Sequence, residues 1–284
     1  QLDITAFFFT WFINNNSQIA GIGRNSLVFC NNHGEILNVQ EYDYTTGRPT
    51  FVQWSYASEG NMIVVLNGIE YLIEAYSVSG ELLWSLDFPY AGGGTVPLAV
   101  SADGSCSAVS QSGNGFIVLN ADGEIIDHYL ENYYVLSLDV SPEGNCVAAS
   151  ASRNTRGKSE LYVFDIQDGT VTEIGIPSEQ WLPSVRSVTD DGTLLCGYNH
   201  ANSNSDWRTI NGRRIALYDN TGNLQWTSVI YDANEVNNRN IKNCYTLPVQ
   251  INARFAGQII SCIDGYRLCY FNPVIGEIIS FFMR

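Results

Sequence analysis

Lysine occurs only twice in this chain of 284 residues, as Lys158 and Lys242, and histidine only three times. Charged residues make up 15% of the whole, against roughly 25% in an average domain. Long apolar runs are missing. The longest, Ala6 to Ile13, is interrupted by Thr10 and falls far below the ~20 residues of a membrane-spanning helix, so no membrane span is expected. The shortage of cations leaves a net charge of −15. Such a chain repels phosphate backbones, which argues against a nucleic-acid partner.

Catalytic signatures are missing as well. There is no G-x-S-x-G elbow, no histidine pair with metal spacing and no CxxC. His33 falls in a turn and His128 in an outer strand, and only His200 borders an insertion. Acidic pairs such as Asp190–Asp191 read as turn formers. The glycine run at 90–95 is no phosphate loop, because no Lys-Ser/Thr and no helix follow it. No cofactor, no metal site and no catalytic residue is expected.

Asparagine, at 27 residues, and tyrosine, at 16, are plentiful, and the chain starts at Gln1 rather than Met. Together these point towards an exported protein, extracellular or at the cell surface, whose signal peptide has been removed; a trimmed start would look the same. Asn15-Asn16-Ser17 is the one N-x-S/T sequon, which makes Asn15 a glycosylation candidate. Seven cysteines leave at least one thiol without an intrachain partner. Cys106 and Cys146 each follow a turn glycine by two residues. They read as small buried strand residues, with disulfides or ligands as the alternative.

One unit recurs along the chain: two hairpins, each closed by a glycine turn. The first turn reads ASEG (57–60), SADG (101–104), SPEG (141–144), TDDG (189–192) and RFAG (254–257), with a degenerate INNNS (13–17) in the first copy. The second reads NNHGE (31–35), SVSGE (77–81), NADGE (120–124), IQDGT (166–170), NTGN (220–223) and PVIGE (273–277). Glycine supplies the positive φ that a short hairpin loop needs, and Asp, Asn or Ser before it bonds its own backbone. The flanks, such as FIVLN and LYVFD, are rich in β-branched and aromatic residues. A repeat of ~40–50 residues with four short strands is the signature of a propeller.

The pattern resembles the WD-repeat and quinoprotein-like propellers over essentially the whole chain. Trp84 and Trp226 stand four residues after their turn glycines. That is similar to the tryptophan-docking motif of quinoprotein propellers, which implies indoles packed between adjacent blades. The expected fold is all-β: a six-bladed β-propeller of four-stranded antiparallel blades. It forms one domain over 1–284, with blades at about 1–43, 44–90, 91–131, 132–177, 178–231 and 232–284. Trp11 and Trp54, equivalent in the first two copies, are expected to be largely buried.

The repeat is broken in three places, all at the end of the blades opposite the glycine turns. One insertion holds Arg153, Arg156 and Lys158. The next holds Trp207, Arg208, Arg213 and Arg214, and the last Arg239 and Lys242. Eight of the fourteen basic residues thus lie in three segments of a strongly acidic chain. Loops are polar and variable by default. The alternative is a basic site in which Arg forks pair with oxyanions. Aromatics at the same end include Trp181, Tyr133, Tyr134 and Tyr231, the anchor chemistry of binding surfaces. The leading expectation is a non-enzymatic binding or self-assembly module. It would take a protein, including another copy head-to-tail as a filament, or an acidic glycan. The alternative is a lyase or hydrolase of acidic polysaccharide acting in a central pocket with Tyr, His200 and Arg.

Overall fold

A computed structural model describes residues 8–13, 19–23, 26–41, 51–68, 70–88, 96–153, 158–177, 181–201, 210–232, 260–264, 267–271 and 278–283. Every regular element among them is a β-strand, and among these residues no helix is long and apolar enough to cross a membrane. Sheet one comprises β1 (Phe8–Ile13), β2 (Ile19–Gly23), β3 (Ser26–Cys30) and β4 (Ile36–Glu41). Sheet two comprises β5 (Phe51–Tyr56), β6 (Ile63–Asn67), β7 (Leu72–Tyr76) and β8 (Leu82–Asp87). Sheet three is formed by β9 (Leu98–Val100), β10 (Cys106–Ser110), β11 (Phe116–Asn120) and β12 (Ile125–Tyr129). Sheet four is formed by β13 (Tyr134–Val140), β14 (Cys146–Ser152), β15 (Ser159–Asp165) and β16 (Val171–Ile174). Sheet five follows with β17 (Trp181–Val188), β18 (Leu194–Ala201), β19 (Ile210–Tyr218) and β20 (Leu224–Asp232). Three further strands, β21 (Ile260–Asp264), β22 (Arg267–Phe271) and β23 (Ile278–Met283), pair in sequence order.

Each of these sheets is an antiparallel meander within one repeat of the sequence, apart from an overhang of one residue at Asp232. The last has three strands among the described residues; the stretch in which its first strand is expected lies outside them. Contacts divide the chain into two units, residues 1–135 and 136–284.

Burial explains the sequence pattern of the strands. In sheets one to four the described side chains of the second and third strands are largely buried on both faces, so these strands read as nearly continuous apolar runs rather than alternating ones. In sheet two, Ile63, Val65 and Tyr76 pack with Ala20, Ile22, Leu27 and Phe29 of sheet one. The alternate residues Val64, Leu66, Ile73 and Ala75 pack with Leu98, Val109, Ile117 and Leu119 of sheet three. Each such Val, Leu, Ile or Phe side chain contributes about 1.5–3 kcal/mol by leaving water. In the second unit, Leu161, Val163, Val185, Leu194 and Tyr218 form the equivalent layer between sheets four and five.

Fourth strands differ: β4, β8 and β12 consist of exposed and half-buried residues, none of them fully buried. Trp54 is half-buried and packs on the layer between sheets one and two. The side chain of Trp11 lies outside the described residues. Cys30, Cys106, Cys146 and Cys196 are buried free thiols, as a packing role requires. Burial pushes Cys106 up to about 12 and Cys146 up to about 11, with neighbouring carboxylates adding to both shifts.

Candidate binding site on sheets four and five

In sheets two to five the two glycine turns fall at one end of the meander and the connection between its second and third strands at the other. Sheet five is the tallest at that second end, with strands of eight and nine residues. The insertion there therefore does not form a loop throughout. β18 continues to Ala201 and β19 resumes at Ile210, which places Arg213 and Arg214 in a strand rather than in a loop. Trp181, His200 and Tyr231 are strand residues too. The register makes Trp181 the partner of His200 and Asn199 the partner of Arg213. Arg213 in turn opposes Tyr231, beside a bulge at Arg213/Arg214. The sheet thus gathers two aromatics, a histidine and an arginine onto three neighbouring pairs. Arg214 itself is half-buried.

In sheet four, Ser152 and Ser159 close the strand pair β14–β15. Arg153 and Lys158 follow and precede them on the connection, and both are exposed. Arg156, Trp207, Arg208, Arg239, Lys242 and the sequon at Asn15 lie outside the described residues, as do the side chains of Trp181 and Arg213.

Two features of this unit went unread in the sequence. The first is a set of polar contacts from β13 to β17. The Val185 N–H donates to Ser137 Oγ at 2.8 Å, and the Val188 N–H to Asp139 Oδ2 at 2.9 Å. Ser137 Oγ also lies 2.6 Å from Ser150 Oγ. Between the two donors β17 bulges at Arg186, so the bulge is held from both sides. Burial raises the Asp139 carboxyl to about 7, against the two backbone N–H groups that favour its charged form. The second is a buried phenol pair. Tyr198 and Tyr218, exposed by only 2% and 0%, meet hydroxyl to hydroxyl at 2.6 Å. Burial raises both, Tyr218 to about 12, so the pair is neutral and structural at physiological pH. Neither feature has a local signature, because each joins residues about 20 to 50 apart.

The tryptophan motif is realised in the first unit. Trp84 Nε1 donates to the Ala121 carbonyl of the following sheet at 2.9 Å. In sheet one the same position is Asn38, whose Nδ2 donates to the Gly80 carbonyl at 2.7 Å. In sheet four, Glu173 and its neighbours Thr172 and Ile174 abut Gly222. Asn38 therefore keeps the docking contact without an indole, whereas in sheet four the side chains flanking exposed Glu173 make the contact instead.

No family model matches the chain, and no curated protein matches it. Solved structures do. BamB from Moraxella catarrhalis aligns at 13% identity and a TM-score of 0.57, over 96% of this chain and 75% of that one. Kluyveromyces lactis Hsv2 aligns at 12% and 0.60, over 94% and 75%. Kuenenia stuttgartiensis hydrazine synthase aligns at 12% and 0.64, over 93% and 76%. At such identities the likeness concerns the fold alone, and it shows that this chain is an all-β repeat protein of the propeller type.

Proposed function

We propose that the chain closes as one six-bladed propeller over 1–284 and works, outside the cell, as a non-enzymatic assembly module. Its basic segments dock onto the acidic surface of a further copy. The observation that carries this reading is the division of charge. Residues 1–135 hold two arginines, Arg24 and Arg48, against fourteen carboxylates, a net of −12. The remaining residues hold twelve basic groups against fifteen acids, a net of −3. Within that second part the cations concentrate around Arg153, Lys158 and the Arg213–Arg214 pair. A copy whose basic segments meet another copy's acidic unit makes a head-to-tail contact, which yields rings or open filaments rather than closed dimers.

Charge steering makes the contact salt-sensitive, since screening at ~0.15 M acts beyond ~8 Å. Light scattering at low salt should show oligomers that dissolve as salt rises. Arg153→Glu with Lys158→Glu should weaken them, because both side chains are exposed. Charge reversal at half-buried Arg214 would confound binding with folding. A strictly monomeric chain at high concentration and low salt sinks this reading.

A further inference from the structure

Three turns of the first unit share one geometry and a closing Gly-Glu. The Asn31, Ser77 and Asn120 N–H groups donate to the Glu35, Glu81 and Glu124 carbonyls at 2.9, 2.8 and 3.0 Å. After each glutamate come two large apolar residues: Ile36–Leu37, Leu82–Leu83 and Ile125–Ile126. A strand on a packed sheet would turn the second of each pair inward. Here the register slips by one residue at that position in all three sheets, so Leu37, Leu83 and Ile126 are left out of the ladder. A bulge re-aims side chains in this way. As a result all six residues keep between 44% and 54% of their surface exposed.

Single exposed aliphatics are ordinary; the same pair exposed by the same device in three successive sheets is a surface. The sheets are neighbours, because Asn38 and Trp84 each bond the second turn of the next sheet. The three pairs therefore stand at the same place in three successive sheets, which lie ~10 Å apart where they pack face to face. An acid heads each pair. Glu35 and Glu124 are held in place by Asn31 Nδ2 at 2.7 Å and Asn120 Nδ2 at 2.9 Å. No lysine or arginine occurs among the described residues of this unit.

We infer that these fourth strands dock a basic amphipathic helix of another protein, its apolar side chains seated on the three exposed pairs and its Lys or Arg facing Glu35, Glu81 and Glu124. A helix fits better than an added strand. The bulges interrupt each edge where a strand would have to pair. Two helical turns, seven residues, rise ~10 Å, the spacing of the sheets. The site is distinct from the basic segments of sheets four and five, and it does not depend on self-assembly.

The probe is a fluorescent synthetic helix of ~18 residues with Leu at every seventh position and Lys on its flanks. Its control has each Leu replaced by Ser. With the full chain at low salt, anisotropy should show binding to the Leu peptide and a loss of roughly tenfold with the Ser peptide. Leu83→Ser with Ile126→Ser should weaken the Leu peptide by a similar factor, with an unchanged circular dichroism spectrum. Glu81→Gln with Glu124→Gln should weaken it several-fold and flatten its salt dependence. The inference is overturned if the Leu peptide does not bind, if both peptides bind alike, or if the apolar variant binds as before. It is also overturned if the chain forms a dimer that only the apolar variant dissolves, because a second copy then owns the surface.

Discussion

The indole of Trp84 lies against Gly123 of the next sheet so closely that a β-carbon on that glycine would fall 2.5 Å from Cδ2 of the ring. Gly123 also has φ +79°, so the position excludes a side chain twice, by conformation and by contact. Gly34 separates the two effects. It has φ +76° at the equivalent turn, and a β-carbon placed on it would meet nothing within 4 Å. Gly34→Ala should then cost only the left-handed conformation, about 1–2 kcal/mol. Gly123→Ala should cost ~2 kcal/mol more, because a large ring held by its own hydrogen bond to Ala121 must shift. Urea unfolding of the two variants checks the difference. Equal losses would mean that the indole moves aside at no cost.

The Tyr198–Tyr218 pair gives an asymmetric prediction. Tyr198→Phe leaves the Tyr218 hydroxyl buried without its partner, a loss of about 1–3 kcal/mol. Changing both to Phe removes both polar groups from the same apolar layer and should recover most of that loss. Denaturant midpoints of the two single variants and the double variant form the cycle that measures it. Additive losses would refute the pairing.

Asp139 makes stability depend on pH in an unusual direction. Its folded value of about 7 lies above the ordinary 3.8. Between those values the native state keeps a proton that the unfolded chain has released. Stability therefore falls as pH rises through this window, by up to about 4 kcal/mol across its whole width. Asp139→Asn should flatten the dependence between pH 4 and pH 7, the interval set by the two values. Thermal melts across that range check it. A variant as pH-sensitive as the parent would place the titration elsewhere.

The buried thiols should resist alkylation while the chain is folded. Cys106 and Cys146 are both raised, to about 12 and about 11, and both are enclosed, so little thiolate is present at pH 8. Peptide mapping after brief alkylation should find them unmodified in native protein and modified in urea. Rapid native labelling of Cys106 would contradict its packing between strands.

The sequence by itself determined the repeat, the strand class and the two hairpin turns, because these depend on local physics. Glycine at positive φ with Asp, Asn or Ser before it makes a turn wherever it stands, and β-branched runs between such turns make strands. The docking of Trp84 was legible through its resemblance to the tryptophan motif of quinoprotein propellers, carried by the four-residue offset from a turn glycine. Only the tertiary structure decided that Asn38 takes the same place without an indole, since a hydrogen bond to Gly80 leaves no pattern shared with tryptophan. The insertion at sheet five was legible as extra length, yet its division into strand and loop was not. Glycine counting measures residues between turns, whereas pairing across β18 and β19 decides where Arg213 and Arg214 stand. The Asp139 contacts and the tyrosine pair were equally hidden, because residues far apart in the chain become neighbours only when sheets stack. The exposure of Leu37, Leu83 and Ile126 was the least legible feature of all. An apolar residue in a strand reads as core, and only a one-residue slip in register, set by the turn before it, turns it towards the solvent.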